Sequence, residues 1–155
     1  MIKVLFLALI SSFTIQSSYA EKAVLAGGCF WCMESDFEKL EGVSDVISGF
    51  SGGAIENPTY RGDHRGHYEA VQITYDPKVI SFEKLLEHYW VNVDPFDSKG
   101  QFCDKGPSYL SAIFVSDENE RNIAIKTKQK VIKRFVNSKV ITPILNLSKF
   151  YPIKG

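Results

Sequence analysis

Ala23-Val24-Leu25-Ala26-Gly27-Gly28-Cys29-Phe30-Trp31-Cys32-Met33-Glu34 joins two elements and puts a cysteine at the joint. The apolar residues 23–26 read as a buried strand and the glycine pair as the tight turn out of it. Phe30, Met33, Phe37 and Leu40 then recur at helical spacing as far as Gly42. Cys29 therefore falls at a helix N-terminus, where free backbone N–H groups and the positive end of the helix dipole favour thiolate over thiol. A thiolate so placed can attack an electrophilic sulfur, carbon or metal.

Three other readings fit the same residues. Cysteine is among the most buried residue types, so Cys29 could be inert core. The Cys29-x-x-Cys32 spacing could be half of a zinc site, but a closed site needs four ligands and the chain offers only Cys103, His64, His67 and His88 besides, with no second paired motif. A thioredoxin-like dithiol at a helix start is the stronger competitor.

The chain has 155 residues, 45% of them hydrophobic and 13% aromatic, which suits one compact domain with its own core and argues against disorder. Residues 1–20 differ from the rest. Lys3 leads the apolar run Val4 to Ile10, a polar Ser/Thr-rich stretch follows, and Ser18-Tyr19-Ala20 ends it with small residues at the last and third-last positions. This pattern predicts a secretory signal peptide over 1–20, cleaved near Ala20, and a secreted or periplasmic domain over 21–155. The run is too short to span a bilayer, which takes about 20 residues. Cleavage removes one lysine and leaves 17 basic against 18 acidic residues, a formal charge of −1. Neither nucleic acid nor a stable membrane association is implied, and the chain is expected to act as a monomer. Three cysteines, an odd number, in an oxidising compartment point to a reactive thiol.

Beyond the first helix, Val43 to Phe50 reads as a strand, and Ser51-Gly52-Gly53 opens a polar stretch through Gly66 that is too long for a simple connection. It holds Tyr60, Arg61 and His64, with His67 just beyond. Residues 70–75 alternate as a strand. Ser81 is placed to cap a helix whose apolar face is Phe82, Leu85, Leu86, Tyr89, Trp90 and Val93. Residues 94–108 are irregular and contain Cys103 and Asp104, 110–115 read as a strand, and 117–136 as a helix with lysines on its solvated face. Residues 140–147 read as a strand pair or one strand interrupted at Pro143, and 149–155 as a tail. The order predicts an α+β, two-layer sandwich: helices packed on a mixed sheet, with long irregular loops.

Glu69 stands just before the third strand, on the face opposite Tyr68 and Ala70. Buried there it would hold a proton near neutral pH and could serve as a general acid. Propensity alone favours an exposed glutamate at a strand edge.

Five segments carry a family resemblance: GGCFWCMES at 27–35, GVSDVISGFSGG at 42–53, NPTY at 57–60, GHYEAVQITYDP at 66–77 and GQFCDKG at 100–106. In this order, over residues 23 to about 152, the chain resembles peptide methionine sulfoxide reductase, A type. The resemblance implies an α+β fold around a ferredoxin-like core and an enzyme that reduces methionine S-sulfoxide, free or in oxidised proteins and peptides, without metal or bound cofactor. It implies that Cys29 attacks the sulfoxide sulfur and that Glu69 protonates the departing oxygen. Tyr60 and Tyr109 would donate hydrogen bonds to that oxygen, with Asp104 positioning the polar side. Phe30 and Trp31 would wall the S-methyl group. The resulting cysteine sulfenic acid condenses with a second thiol. Cys103 is favoured over Cys32 for that step because a loop tolerates rearrangement better than a helix start. Thioredoxin or another dithiol then resets the enzyme.

The chain departs from the family pattern in three places. Leu110 stands where arginine is common, the loop from Tyr60 to Glu69 is short, and related sequences usually continue beyond Lys149–Gly155 through a Tyr/His/Gln-rich tail that walls the pocket. Weaker substrate affinity is therefore expected. A secreted dithiol oxidoreductase and an inactive module that binds methionine-containing segments on Phe30 and Trp31 are the competing functions.

Overall fold

The computed structural model describes residues 19–153, so all but the last two residues of the expected signal peptide lie outside the described residues. The chain runs β1 (Glu21–Gly27), α1 (Phe30–Phe37), β2 (Val43–Ser51), β3 (Tyr68–Tyr75), α2 (Phe82–Asn92), a small hairpin of β4 (Gly100–Gln101) and β5 (Asp104–Lys105), β6 (Ser111–Val115), α3 (Glu118–Arg134), β7 (Ile144–Asn146) and β8 (Phe150–Pro152). Six strands form one sheet in the order β7-β6-β1-β3-β2-β8. Every pairing in it is antiparallel except β6 with β7, so the sheet is mixed. Its inner four strands with α1 and α2 make the βαββαβ arrangement of a ferredoxin-like core.

Strand alternation explains the two layers. Ala23 and Leu25 of β1, Val46 and Phe50 of β2, and Val71, Ile73 and Tyr75 of β3 bury on the face that α1, α2 and α3 cover. Val24, Ala26, Ala70, Ala112 and Phe114 pack on the opposite face. The helices are fixed by ends as well as faces: Ser81 Oγ accepts from Lys84 N–H at 3.2 Å and Asp117 Oδ1 from Glu120 N–H at 2.8 Å, caps worth about 1 kcal/mol each. Trp90 Nε1 donates to Thr127 Oγ1 at 3.0 Å and ties α2 to α3.

Several sequence expectations need correction. α1 stops at Phe37 instead of running towards Gly42, and Leu40 packs from the turn that follows. Residues 140–147 hold one strand, β7, which begins after Pro143; Pro143 has no N–H to donate, and only its carbonyl bonds to β6, accepting from Ile113 N–H at 3.0 Å. The stretch 149–155, read as a tail, contains β8, whose Phe150, Tyr151 and Pro152 pair with Ser51, Phe50 and Gly49. A three-residue edge strand is too short to show periodicity. No helix among the described residues is long and apolar enough to cross a membrane.

Candidate active site

The turn between β1 and α1 is shaped by Gly28, whose φ of +92° lies in the left-handed region and whose side a Cβ could not share with Gln101, only 2.7 Å away. Gln101 is buried and locked in place. Its Oε1 accepts from Asp94 N–H and its Nε2 donates to Asp94 O, both at 2.7 Å. The turn delivers Cys29 to the N-cap position of α1, where its carbonyl accepts from Cys32 and Met33 N–H at 3.1 and 3.2 Å. The half-buried Cys29 side chain makes no capping bond, which leaves its sulfur free to react.

Directly beneath that helix start lies Glu69. It belongs to β3, a central strand flanked by β1 and β2, and is only 3% exposed, so the exposed-edge reading is overturned. The strand begins at Tyr68, two residues earlier than periodicity suggested, and Glu69 shares the helix-covered face with Val71 and Ile73. Its Oε2 accepts from Phe30 N–H at 3.2 Å. Burial pushes the carboxyl above its ordinary range, against the opposing pull of the Phe30 N–H and the His64 ring, while nearby Asp104 raises it further.

Tyr109, in the helical turn Pro107–Tyr109, has its phenol raised chiefly by Glu69, then by burial and by Asp104, Tyr60 and Cys29. These five groups therefore share one electrostatic neighbourhood, assembled from α1, β3, the 51–66 loop and the segment after α2. Asp104 is exposed at the start of β5. Trp31 is 52% exposed, and its ring centroid lies 5.0 Å from that of Tyr60. Phe30 is 0% exposed and meets Trp31, Phe50 and Tyr60 at 5.1, 5.7 and 5.9 Å, so it backs the aromatic cluster while Trp31 and Tyr60 carry its open surface.

All three cysteines are free and line one cavity of about 320 Å³, together with Met33, Asp36 and Asp104. Cys32 is exposed rather than turned into the core. Its thiol stays protonated to higher pH than usual, first because it hydrogen-bonds to Cys29 and then through burial and surrounding negative charge. Cys103 sits in the tight turn between β4 and β5, after Phe102 with its φ of +48°. A larger cavity, about 960 Å³, touches Trp31 and Tyr60 but not Cys29. The two cavities share no lining residue.

Two histidines that the sequence placed in or beside the long polar stretch, without giving them a role, are positioned here. His64 stacks on Phe50 at 5.0 Å and contacts Thr59 O through Nδ1, bringing a titratable ring towards Glu69. His67 is buried: its Nδ1 accepts from Gly53 N–H and its Nε2 donates to Ile55 O, pinning the long loop to β3. Among the described residues no group of three His, Cys, Asp or Glu is arranged to hold a metal ion.

The sequence profile of the family described as peptide methionine sulfoxide reductase matches residues 21–155. Peptide methionine sulfoxide reductase MsrA 2 of Caulobacter vibrioides is 49% identical over 134 residues, 84% of this chain and 68% of that one. The MsrA of Halalkalibacterium halodurans is 46% identical over 136 residues, 85% of this chain and 77% of its own length. The solved methionine sulfoxide reductase A of Corynebacterium diphtheriae superposes with a TM-score of 0.77 at 28% identity, covering 90% of this chain and 72% of that one. With the profile spanning the whole described fold and relatives at nearly half identity, the chain belongs to the peptide methionine sulfoxide reductase family.

Proposed function

We propose that this chain repairs oxidised methionine by reducing its S-sulfoxide, free or within proteins and peptides, with Cys29 as nucleophile and Glu69 as acid. The single observation that carries the assignment is the placement of a buried carboxyl, which burial shifts towards its protonated form, one hydrogen bond from the residue that follows the cysteine. Cys29 sulfur attacks the sulfoxide sulfur. Glu69 protonates the sulfoxide oxygen as the S–O bond of the substrate gives way, while the phenols of Tyr60 and Tyr109 stabilise the charge that grows there. Asp104 supports the polar side, and Trp31, backed by Phe30, receives the S-methyl group. The bond between the two sulfurs then breaks with its electron pair going to methionine, which leaves, while the oxygen lost from the substrate sulfur bonds as hydroxyl to the Cys29 sulfur; in sum, thiol plus sulfoxide becomes sulfenic acid plus methionine.

A second thiol then displaces water from that sulfenic acid and forms a disulfide. Cys32 is our first choice, because its thiol already hydrogen-bonds to Cys29, and Cys103, on the same cavity, is the second. A thioredoxin-like protein or another dithiol takes up the disulfide by exchange and returns both thiols, so the reducing equivalents come from outside and no bound cofactor is needed. We further propose export with cleavage after Ala20. Both β1 and the family match begin at residue 21, which supports that boundary, and N-terminal sequencing of exported protein tests it.

Turnover of the two separated methionine sulfoxide epimers with excess dithiothreitol tests the activity. Reduction of the S epimer alone is expected; insulin reduction without sulfoxide turnover would favour a general dithiol oxidoreductase.

A further inference from the structure

The near-zero net charge hides a segregation along the chain. Residues 1–120 carry all eighteen acidic side chains and nine of the eighteen basic ones, whereas residues 121–149 carry eight Lys or Arg and no Asp or Glu. Most of that cationic stretch is α3 and the turn after it. Part of its charge is met within the fold: Arg121 pairs with Glu118, and Lys126 and Lys130 reach across to Glu83 and Glu87 of α2. Lys133, Arg134 and Lys139 are exposed and form no ion pair among the described residues.

The same surface is apolar where a solvated helix face would be polar. Ile125 and Ile132, 40% and 43% exposed, stand seven residues apart and so within about 20° of each other around the helix. The helix buries a different side, at Ala124 and Thr127. Past its end Phe135 is 43% and Val136 80% exposed, and every residue from 132 to 139 is open to solvent. The segment is nevertheless held. Phe135 N–H donates to Val131 O at 3.1 Å, Ser138 N–H donates to Phe135 O at 3.0 Å, the Phe135 ring meets that of Phe96 at 5.3 Å, and Val140 is buried. Large apolar side chains fixed together on a cationic surface mark an interaction face more than a solvated one.

We infer that the outward face of α3, from Ile125 through Val136 and the turn to Lys139, docks on an anionic phospholipid surface. Each part has its match there: Lys133 and Lys139 with lipid phosphates, and Ile125, Ile132 and Val136 with the boundary between headgroups and acyl chains. A nucleic acid would use the cations but leave the apolar line in water, and a second copy of this chain would bring two cationic faces together. No residue lining the cavity of the three cysteines belongs to α3 or to 135–139, so docking leaves that cavity open. The attachment is peripheral and salt-dependent, since a few unpaired cations and a short apolar line hold far less firmly than a spanning helix. It goes beyond the proposed activity and does not depend on it.

Vesicle co-sedimentation of the full chain tests this, with neutral phosphatidylcholine vesicles and with vesicles that also contain phosphatidylglycerol. Binding should require the anionic lipid and weaken as the Debye length shrinks from about 30 Å at 0.01 M salt to about 8 Å at 0.15 M. Lys133→Glu combined with Lys139→Glu should lower the affinity about ten-fold or more, and Ile132→Ser combined with Val136→Ser should also lower it several-fold. All four side chains are exposed, so thermal melts of both variants should match wild type. Lys22→Glu combined with Lys39→Glu makes the same change in net charge on other elements and should bind as wild type. Equal binding to phosphatidylcholine alone, an equal loss in that control, or no loss in either α3 variant would overturn the docking. A loss on charge reversal with none on Ile132→Ser and Val136→Ser would show a polyanion contact without burial in lipid and overturn it too.

Discussion

The backbone N–H of Phe30 donates to Oε2 of Glu69 at 3.2 Å, joining the first residue of α1 to a carboxyl on a central strand 39 positions away in sequence. One bond thus fixes how a helix-terminal cysteine and a buried acid sit relative to each other. The acid is held between two influences: burial, which favours its protonated form and dominates, and the N–H, which favours the carboxylate.

Glu69→Gln keeps the side chain's shape and offers a hydrogen-bond donor but no transferable proton. It should lower the chemical step by about 10²-fold or more, read as single-turnover rate against pH. Wild-type activity should fall on the alkaline side as Glu69 ionises, and that limb should disappear in the variant. A near wild-type rate across the pH range would remove Glu69 from the mechanism.

The same substitution has an opposite effect on stability. A carboxyl whose pKa is raised by folding costs nothing at pH below its unfolded value, and destabilises increasingly as pH climbs through the folded value, because the folded state holds the proton longer. Glu69→Gln should therefore gain thermal stability relative to wild type as pH rises from 4 to 8. Thermal melts at both ends check this, and a difference that is flat or shrinks with pH contradicts it.

Trp31 offers the exposed apolar surface of the aromatic cluster, whereas Phe30 is core. Trp31→Ala should raise KM by about ten-fold or more with a smaller effect on stability, and Phe30→Ala should cost about 3–5 kcal/mol of stability. Chemical denaturation and steady-state kinetics separate the two. Equal stability losses would mean that Trp31 is packing, not pocket.

Cys32 meets Cys29 through a thiol hydrogen bond, while Cys103 reaches the same cavity from a hairpin turn. Peptide mapping after one equivalent of sulfoxide, without reductant, should recover a Cys29–Cys32 disulfide from wild type. Cys29–Cys103 should appear only in Cys32→Ser. A Cys29–Cys103 link in the wild type would show that hairpin movement outpaces the nearer thiol.

The two-layer α+β order was legible because β1, the glycine turn and α1 carry their periodicities in local residues, and so was Cys29 at the turn. The ferredoxin-like core came from the family resemblance alone. Glu69's burial was not, since it depends on β1 and β2 flanking β3 and on α1 lying over it, none of which a single strand's pattern encodes. β8 escaped for a similar reason: three residues ending in proline hold a strand conformation only because β2 offers them an edge. The orientation of Cys32 depended on where α1 begins, and a shift of one residue would have turned it by about 100° around the helix.

The central claim is that oxygen passes from substrate to Cys29, and a chain in which Cys32→Ser and Cys103→Ser are combined isolates that step. Treated with one equivalent of methionine S-sulfoxide and no reductant, it should release one equivalent of methionine and gain the mass of a single oxygen, located on the peptide that contains Cys29. The further change Cys29→Ser should abolish both while the fold stays intact. Methionine released without oxygen on Cys29, or released by the Cys29→Ser chain, would contradict the account.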